Sequence, residues 1–192
     1  MKNFELKSFT IFAVMLLSSK VHDGSDVNAM THQRQQVIPL SEIVPRPMEP
    51  IVVNELNPFL ESIGHKESGN RYDIVNTYGY MGKYQFGPAT LRGLGYDLTR
   101  EEFLNHPELQ EKAMLDLLKH NKKKLQKYID KYDGEVVHGV YITESGILAA
   151  AHLGGQGNVK KFFRRGQQFR DGYGTTITSY MEKFAGYNLE LD

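Results

Sequence analysis

The segment Pro107–Tyr132 constrains the fold more than any other part of this 192-residue chain. Acidic residues come early in it and lysines late, as the helix macrodipole prefers. Its apolar residues recur at helical spacing, namely Met114, Leu117, Leu118, Leu125, Tyr128, Ile129 and Tyr132. A helix this long is stabilised mainly by burying its apolar face. The chain therefore needs other helices to cover that face.

Shorter helical segments supply them. Asn57 is a good N-cap and Pro58 suits the first helical position, so a helix should begin there and end at Gly69 or Asn70. Further helices are predicted over residues 88–94, 99–104, 143–153, 158–166 and 175–184, with Thr99, Thr143 and Asn158 as caps and glycines 154, 155 and 157 as a break. Residues 135–142 are β-branched and fit a short strand or a plain connection. The predicted fold is mainly α, with a small β-hairpin possible.

The N-terminal region has the pattern of an export signal. Residues 1–19 contain Lys2 and Lys7 before an apolar run over residues 9–17, which is too short to span a bilayer. A short buried or membrane-anchoring helix is the alternative. Residues 20–50 are polar and end in a proline-rich stretch typical of a linker. The prediction is an exported protein, periplasmic, envelope-bound or secreted, whose folded domain covers residues 51–192 and which meets a membrane only through an uncleaved N-terminus.

Composition excludes several classes of function. The net charge of zero argues against a nucleic-acid partner, which requires a basic surplus. The absence of cysteine excludes disulfides, thiolate metal sites and cysteine nucleophiles. The seven histidines show no HExxH or other metal spacing, and no phosphate loop or nucleophile elbow occurs. We therefore predict neither a metal nor a cofactor.

A long polar loop follows the first predicted helix, over residues 67–90. Such a loop is usually functional or disordered, and its tyrosines argue against disorder. Phe59, Leu60 and Ile63 place Glu67 on the apolar face of that helix and at its negative end. Both effects disfavour the charged carboxylate, as a proton donor requires. A frayed, solvated helix end explains the position equally well.

Three segments together resemble the signature of soluble lytic transglycosylases of the lysozyme superfamily. Residues 67–69 and 79–90 (ESG and GYMGKYQFGPAT) match the catalytic Glu-Ser and the following glycine-rich segment, and are also similar to resuscitation-promoting-factor domains. Residues 151–159 (AHLGGQGNV) and 178–184 (TSYMEKF) resemble two later family motifs, in the same order. The resemblance covers about residues 55–185 and implies a lysozyme-like helical domain of the goose-type or transglycosylase kind.

The resemblance also implies a reaction. Family members cleave the β-1,4 bond between N-acetylmuramic acid and N-acetylglucosamine in the glycan strands of peptidoglycan. Glu67 would act as acid and then as base on the muramyl 6-hydroxyl, giving a 1,6-anhydro product without a second carboxylate. Carboxylic acids with a raised pKa are the usual proton donors in such cleavage.

The other site residues follow from the same motifs. Tyr84, Gln85 and Phe86 would line the groove and bind the substrate, or hold the loop. Ser68 would position the acid or the substrate, or cap the helix end. Tyr180 matches the family tyrosine that hydrogen-bonds the catalytic glutamate, although a helix aromatic can equally be plain core.

Position 152 departs from the family pattern, because His152-Leu153 stands where the family has Tyr-Asn. We expect His152 to face the substrate, with a satisfied core histidine as the alternative. Two other functions stay open. In a hydrolytic muramidase, Asp73 or Asp97 would activate water. In a non-catalytic peptidoglycan-binding module, no cleavage would occur.

Overall fold

The computed structural model describes residues 54–191, so the predictions for residues 1–19 and 20–50 lie outside it. Its elements, in chain order, are α1 (Leu56–Ser68), α2 (Pro88–Gly93), α3 (Arg100–Leu104), α4 (Pro107–Tyr132), β1 (Val136–Val137), β2 (Val140–Tyr141), α5 (Glu144–Arg165) and α6 (Ile177–Lys183). The prediction of a mainly α fold with a small hairpin is confirmed. Across residues 54–191, no helix combines the length and the apolar character that crossing a membrane requires.

Helix α5 lies at the centre of the core, packed against α4 and α6. Its residues Ala149 and Ala150 have no exposed surface. A Cβ added at Gly146 would lie 2.5 Å from the backbone oxygen of Met181 in α6. The two helices therefore approach closely because α5 carries small residues where they meet.

The glycines of α5 divide it into two helical parts, as predicted. Gly155 leaves helical geometry, with φ 75° and ψ 152°, and the second part runs from this kink to Arg165. Asn158 therefore lies inside α5, where its Nδ2 donates to the Gly154 carbonyl at 2.9 Å. The predicted second helix is confirmed, but Asn158 is not its cap, because its side chain donates to a carbonyl and does not accept from a backbone N–H. Gly166 ends α5 as predicted, with φ 65°.

Capping residues explain several of the other helix ends. Thr99 and Glu102 form a reciprocal capping box at α3, as the threonine predicted. Gly69, with φ 68°, ends α1 by a left-handed cap. The start of α1 differs, because the backbone of Leu56 already donates to the Asn54 side chain at 2.8 Å. Asn57 consequently lies within the helix and is not its cap.

A two-residue hairpin connects α4 to α5. Val136 pairs with Tyr141 and Val137 with Val140, in antiparallel register. Between them, His138 (φ 50°) and Gly139 (φ 82°) both adopt left-handed geometry. That geometry belongs to the tight turns whose twist matches a hairpin.

Candidate active site

A cleft of about 660 Å³ opens beside the C-terminal end of α1. Its volume falls within the roughly 300–1,000 Å³ that is usual for ligand sites. Glu67 is among the residues that line it. Five segments form its walls, namely the loop over residues 76–87, α2, α4, α5 around its bend, and residues 169–173. The cleft therefore brings the predicted acid together with distant parts of the chain.

The Glu67 side chain is 16% exposed and is held from one side. Tyr180 in α6 donates its hydroxyl to Glu67 Oε1 at 2.5 Å, across 113 positions of sequence. No residue in the described range hydrogen-bonds Oε2 of the carboxyl. Oε2 is therefore the oxygen available to a bound molecule.

Tyr180 is suited to donating that bond. Its residue surface is 2% exposed. Burial, and then the negative charge of Glu67, raise the pKa of the Tyr180 phenol far above its ordinary value. The phenol therefore stays protonated and acts as a donor to the carboxyl throughout the pH range in which a protein works.

His152 lies near the same carboxyl oxygen. Its Nε2 is 3.8 Å from Glu67 Oε1, and its side chain is 7% exposed. Its ring meets that of Phe86 edge-on, with centroids 6.0 Å apart. Burial lowers the pKa of His152 below 6.5, against the opposing effects of Glu67 and of the Tyr84 backbone. At neutral pH the imidazole is therefore uncharged and makes no ion pair with Glu67.

Gln85 and Phe86 both line the cleft, as expected. The chain turns sharply here, since Met81 and Phe86 form an isolated antiparallel bridge and Gln85 has φ 50°. Gln85 Nε2 donates to the Gly82 carbonyl at 2.9 Å. Gln85 therefore holds the loop as well as facing the cleft.

Ser68 and Tyr84 are not among the residues that line the cleft. Ser68 Oγ donates to the Lys83 carbonyl at 2.8 Å and accepts from the Arg71 backbone at 2.9 Å. Tyr84 is fully buried and donates to Glu111 Oε2 at 2.6 Å. The contacts of both side chains fit the alternatives: Tyr84 holds the loop, and Ser68 bonds the backbone at the end of α1.

A buried lysine, which the sequence interpretation missed, anchors the same loop. The Lys83 side chain is 2% exposed, and its Nζ lies 2.6 Å from Glu61 Oε1 and 2.9 Å from Glu111 Oε1. Burial alone lowers the pKa of Lys83, but these hydrogen bonds raise it well above the ordinary lysine value. Burial has the opposite effect on Glu111 and raises its pKa, but hydrogen bonds from Tyr84, Lys83 and Tyr72 bring that pKa below the usual carboxyl value. Both groups are therefore charged at neutral pH.

Gln110 in α4 provides the second anchor. It is fully buried, and its Oε1 accepts from the Lys83 backbone at 2.9 Å. Its Nε2 donates to the carbonyls of Tyr72 and Phe103 at 3.0 and 2.9 Å. A Cβ at Gly82 would lie 2.0 Å from Gln110 Oε1, so a side chain at that position would displace the Gln110 amide. The Gln110 amide and the Glu111 carboxylate therefore attach the loop to α4.

The two aspartates considered for water activation lie elsewhere. Asp73 is 78% exposed, lies 3.5 Å from Arg71, and does not line the cleft. Asp97 lines a separate, smaller pocket of about 140 Å³. Asp171 does line the cleft, and its Oδ1 accepts backbone bonds from Tyr173 and Thr175. Asp171 is thus the aspartate to consider for a hydrolytic reaction.

Several other lining residues were missed, including Tyr78, Tyr80, Tyr173 and Asn121. Asn-Thr-Tyr-Gly and Asp-Gly-Tyr-Gly are recognisable turn sequences, so the tyrosines could have been found. Asn121 gives no such signal, because it occupies one position of a long helix.

Within residues 54–191, no group of three or more His, Asp or Glu side chains could hold a metal ion. Comparison with protein families, with curated proteins and with solved structures finds no match to this chain. The resemblance to lytic transglycosylases therefore stays a prediction.

Proposed function

We propose that this chain is a lytic transglycosylase of lysozyme-like fold that cleaves the glycan strands of peptidoglycan. The observation that carries the proposal is the setting of Glu67, with one carboxyl oxygen bound by Tyr180 and the other available in a cleft. A carboxyl held in this way can deliver a proton to an oxygen placed against Oε2. Export through residues 1–19 belongs to the same proposal, since peptidoglycan lies outside the cytoplasm.

The first chemical step is cleavage. The protonated Glu67 donates its proton to the oxygen that links muramic acid C1 to the next sugar. The C1–O bond breaks, its electron pair stays with the leaving oxygen, and the substrate's acetamido group stabilises the electron-poor C1. Developing positive charge of this kind is typical of glycoside cleavage.

The second step regenerates the acid. The Glu67 carboxylate removes the proton from the muramyl 6-hydroxyl, and that oxygen forms a bond with C1. The product carries a 1,6-anhydro ring and no water is consumed. Tyr180 stabilises the carboxylate between the steps by its hydrogen bond to Oε1.

Neutral His152 supports the same sequence of steps. A protonated imidazole 3.8 Å from Oε1 would stabilise the carboxylate and oppose its protonation. Because burial lowers the pKa of His152, the ring is uncharged at neutral pH and this opposition is absent. The ring instead adds an apolar face beside Phe86.

A hydrolytic muramidase is the second candidate, and Asp171 is the observation in its favour. Its carboxyl lines the same cleft, whereas Asp73 and Asp97 do not. In that reaction Asp171 would activate a water molecule and the product would have a reducing end. A non-catalytic peptidoglycan-binding module is the third candidate and predicts binding without cleavage.

The test is mass spectrometry of peptidoglycan digested by the full chain. We expect 1,6-anhydromuramyl ends, and a loss of at least about a hundredfold in Glu67→Gln, the usual contribution of a general acid. Glu182→Gln is the matched control, because that glutamate is exposed on α6 and does not line the cleft.

Each alternative gives a different result. Reducing ends that disappear in Asp171→Asn would establish the hydrolase. Undiminished cleavage by Glu67→Gln would remove Glu67 as the acid. Binding of peptidoglycan without cleavage by the unaltered chain would identify a binding module.

A further inference from the structure

Two five-residue turns in this chain have the same construction, although no sequence repeat links them. They are residues 76–80 (Asn-Thr-Tyr-Gly-Tyr) and 171–175 (Asp-Gly-Tyr-Gly-Thr). In both, Oδ1 of the first side chain accepts from the backbone of the third and fifth residues, at 2.9 and 3.1 Å in one turn and 2.9 and 2.7 Å in the other. Each turn therefore presents a tyrosine at its third position.

The backbone bonds of the two turns also agree. The first residue's N–H donates to the fifth residue's carbonyl at 2.9 and 3.0 Å, and the fourth residue's N–H donates to the first carbonyl at 3.0 and 3.1 Å. The fourth residue is a left-handed glycine in both, Gly79 with φ 83° and Gly174 with φ 85°. Two rigid tips of equal geometry are thus built at distant points of the sequence.

The two tips meet at the cleft. Tyr78 and Tyr173 contact edge to face, with ring centroids 5.2 Å apart. Tyr78 Oη donates to the Gly172 carbonyl at 3.3 Å, and the hydroxyls of Thr77 and Tyr173 are also 3.3 Å apart. A Cβ at Gly172 would lie 2.9 Å from the Tyr78 ring, so the contact depends on a glycine there. We call the pair Tyr78 and Tyr173 the tyrosine clamp.

The remaining walls of the cleft are also joined. The loop over residues 76–87 runs directly into α2, and the segment after α2 is tied to α4 by Tyr96 and Asp116, whose side-chain oxygens are 2.5 Å apart. Helix α4 packs on α5. A Cβ at Gly154 of α5 would lie 2.7 Å from the Phe169 ring, at the start of the last wall. The tyrosine clamp then joins that wall to the first.

We propose that the tyrosine clamp makes this site act on the ends of glycan strands, an inference that rests on the proposed function. A strand that ran through the cleft from its middle would have to pass the joined walls. Whether a strand stops at the clamp or threads beneath it, its end has to enter first. The cleft of about 660 Å³ also suits a short oligosaccharide segment. The enzyme should therefore release small fragments from strand ends.

The experiment follows strand length over time. Long, peptide-free glycan strands are digested with the full chain, and products are separated by size. We expect small terminal fragments from the first time points, while the remaining strands stay long. Tyr78→Ala/Tyr173→Ala should raise the share of internal cuts by roughly two- to twelvefold, the range that the loss of one aromatic pair allows.

Two control variants separate the clamp from other roles of the tyrosines. Tyr78→Phe/Tyr173→Phe keeps the ring contact and should keep the terminal pattern. Tyr141→Ala removes a tyrosine that is 54% exposed on β2 and outside the cleft, and should change nothing. The clamp tyrosines are themselves 59% and 65% exposed, so their removal leaves the core intact.

The possible outcomes distinguish failure of this inference from failure of the proposed function. Absence of any cleavage by the unaltered chain would overturn both. Mainly internal cleavage by the unaltered chain, with 1,6-anhydro ends, would overturn the clamp alone. Equal loss of terminal and internal cuts in the double alanine variant would show that the tyrosines only hold sugar, and would also overturn it.

Discussion

Replacement of Lys83 by methionine tests how the loop beside Glu67 is held. Methionine is close to the lysine stem in volume, so the change removes the ammonium group without opening a cavity. The ammonium is buried between Glu61 and Glu111, at 2.6 and 2.9 Å. Its removal leaves Glu111 facing two tyrosine hydroxyls, from Tyr84 and Tyr72.

The expected cost follows from the exposure of the partners. Removing one member of a buried pair usually destabilises a protein by about 3–5 kcal/mol, because a buried charge is left alone. Here Glu61 is 60% exposed and returns to water, and Glu111 is 33% exposed and keeps its tyrosine bonds. We therefore expect a loss of about 2–3 kcal/mol in the free energy of unfolding, below that range.

Urea unfolding measures this loss. With a slope of about 2 kcal/mol per molar urea, the midpoint should fall by roughly 1–1.5 M. Lys112→Met is the matched control in α4. Because Lys112 is 63% exposed beside Asp116, the urea midpoint of this variant should hardly move.

The stability that Lys83 provides should also depend on pH. The folded-state pKa of Glu111 lies below 4.5, so the stabilising contribution of Glu111 is present above that pH and is lost as the pH falls through the lowered value. The difference in the free energy of unfolding between Lys83→Met and the unaltered chain should therefore narrow as the pH falls below 4.5.

Equal midpoints for Lys83→Met and Lys112→Met would refute the reasoning. So would a difference that does not depend on pH below 4.5. In either case the loop would be held by its backbone bonds and by Gln110 alone.

Three further predictions concern the site. Gly82→Ala should destabilise by about 2–3 kcal/mol, because the new Cβ would clash and φ is 72°, whereas Gly95→Ala, with φ 89° but open space, should cost about 1 kcal/mol by urea unfolding. His152→Gln should make the free energy of unfolding depend less on pH below 6.5. Because burial lowers the folded-state pKa of His152, the unaltered chain loses stability as the pH falls below 6.5, by at most about 1.4 kcal/mol per pH unit. Tyr180→Phe removes the donor to Glu67 and should slow cleavage roughly 10- to 100-fold in a turbidity assay of peptidoglycan, with the fold retained.

Contrary results would be informative in each case. Equal costs for the two glycine variants would mean that the Gly82 contact relaxes. A stability profile unchanged by His152→Gln would mean that the imidazole is not kept neutral by burial. Full activity of Tyr180→Phe would mean that the tyrosine only fills space.

The helices were predictable because each has a local cause. The apolar stripe of α4 and the threonine caps before α3 and α5 act over a few residues. The break in α5 was predictable too, because a glycine adopts the positive φ of Gly155 without strain.

The site was predictable only in part. Glu67, Gln85, Phe86 and His152 meet in one cleft, which local motifs had suggested. Lys83 was not among the predicted site residues, because nothing nearby in sequence marks Glu111 as its partner. Contacts over such separations depend on how helices pack, and no pattern within one segment encodes them.

The two side chains that hold the loop, Gln110 and Glu111, are neighbours near the start of α4, where the backbone has no side-chain cap. Transient fraying of this end of the helix would release the loop that carries Gln85 and Phe86 at the same moment. The loop and the first turns of α4 consequently form one cooperative opening unit, and their amide protons should exchange with solvent at a common rate. Local unfolding of this end of α4 would thus remove the loop from the wall of the cleft, and any ligand that closes the cleft should slow exchange in both places together.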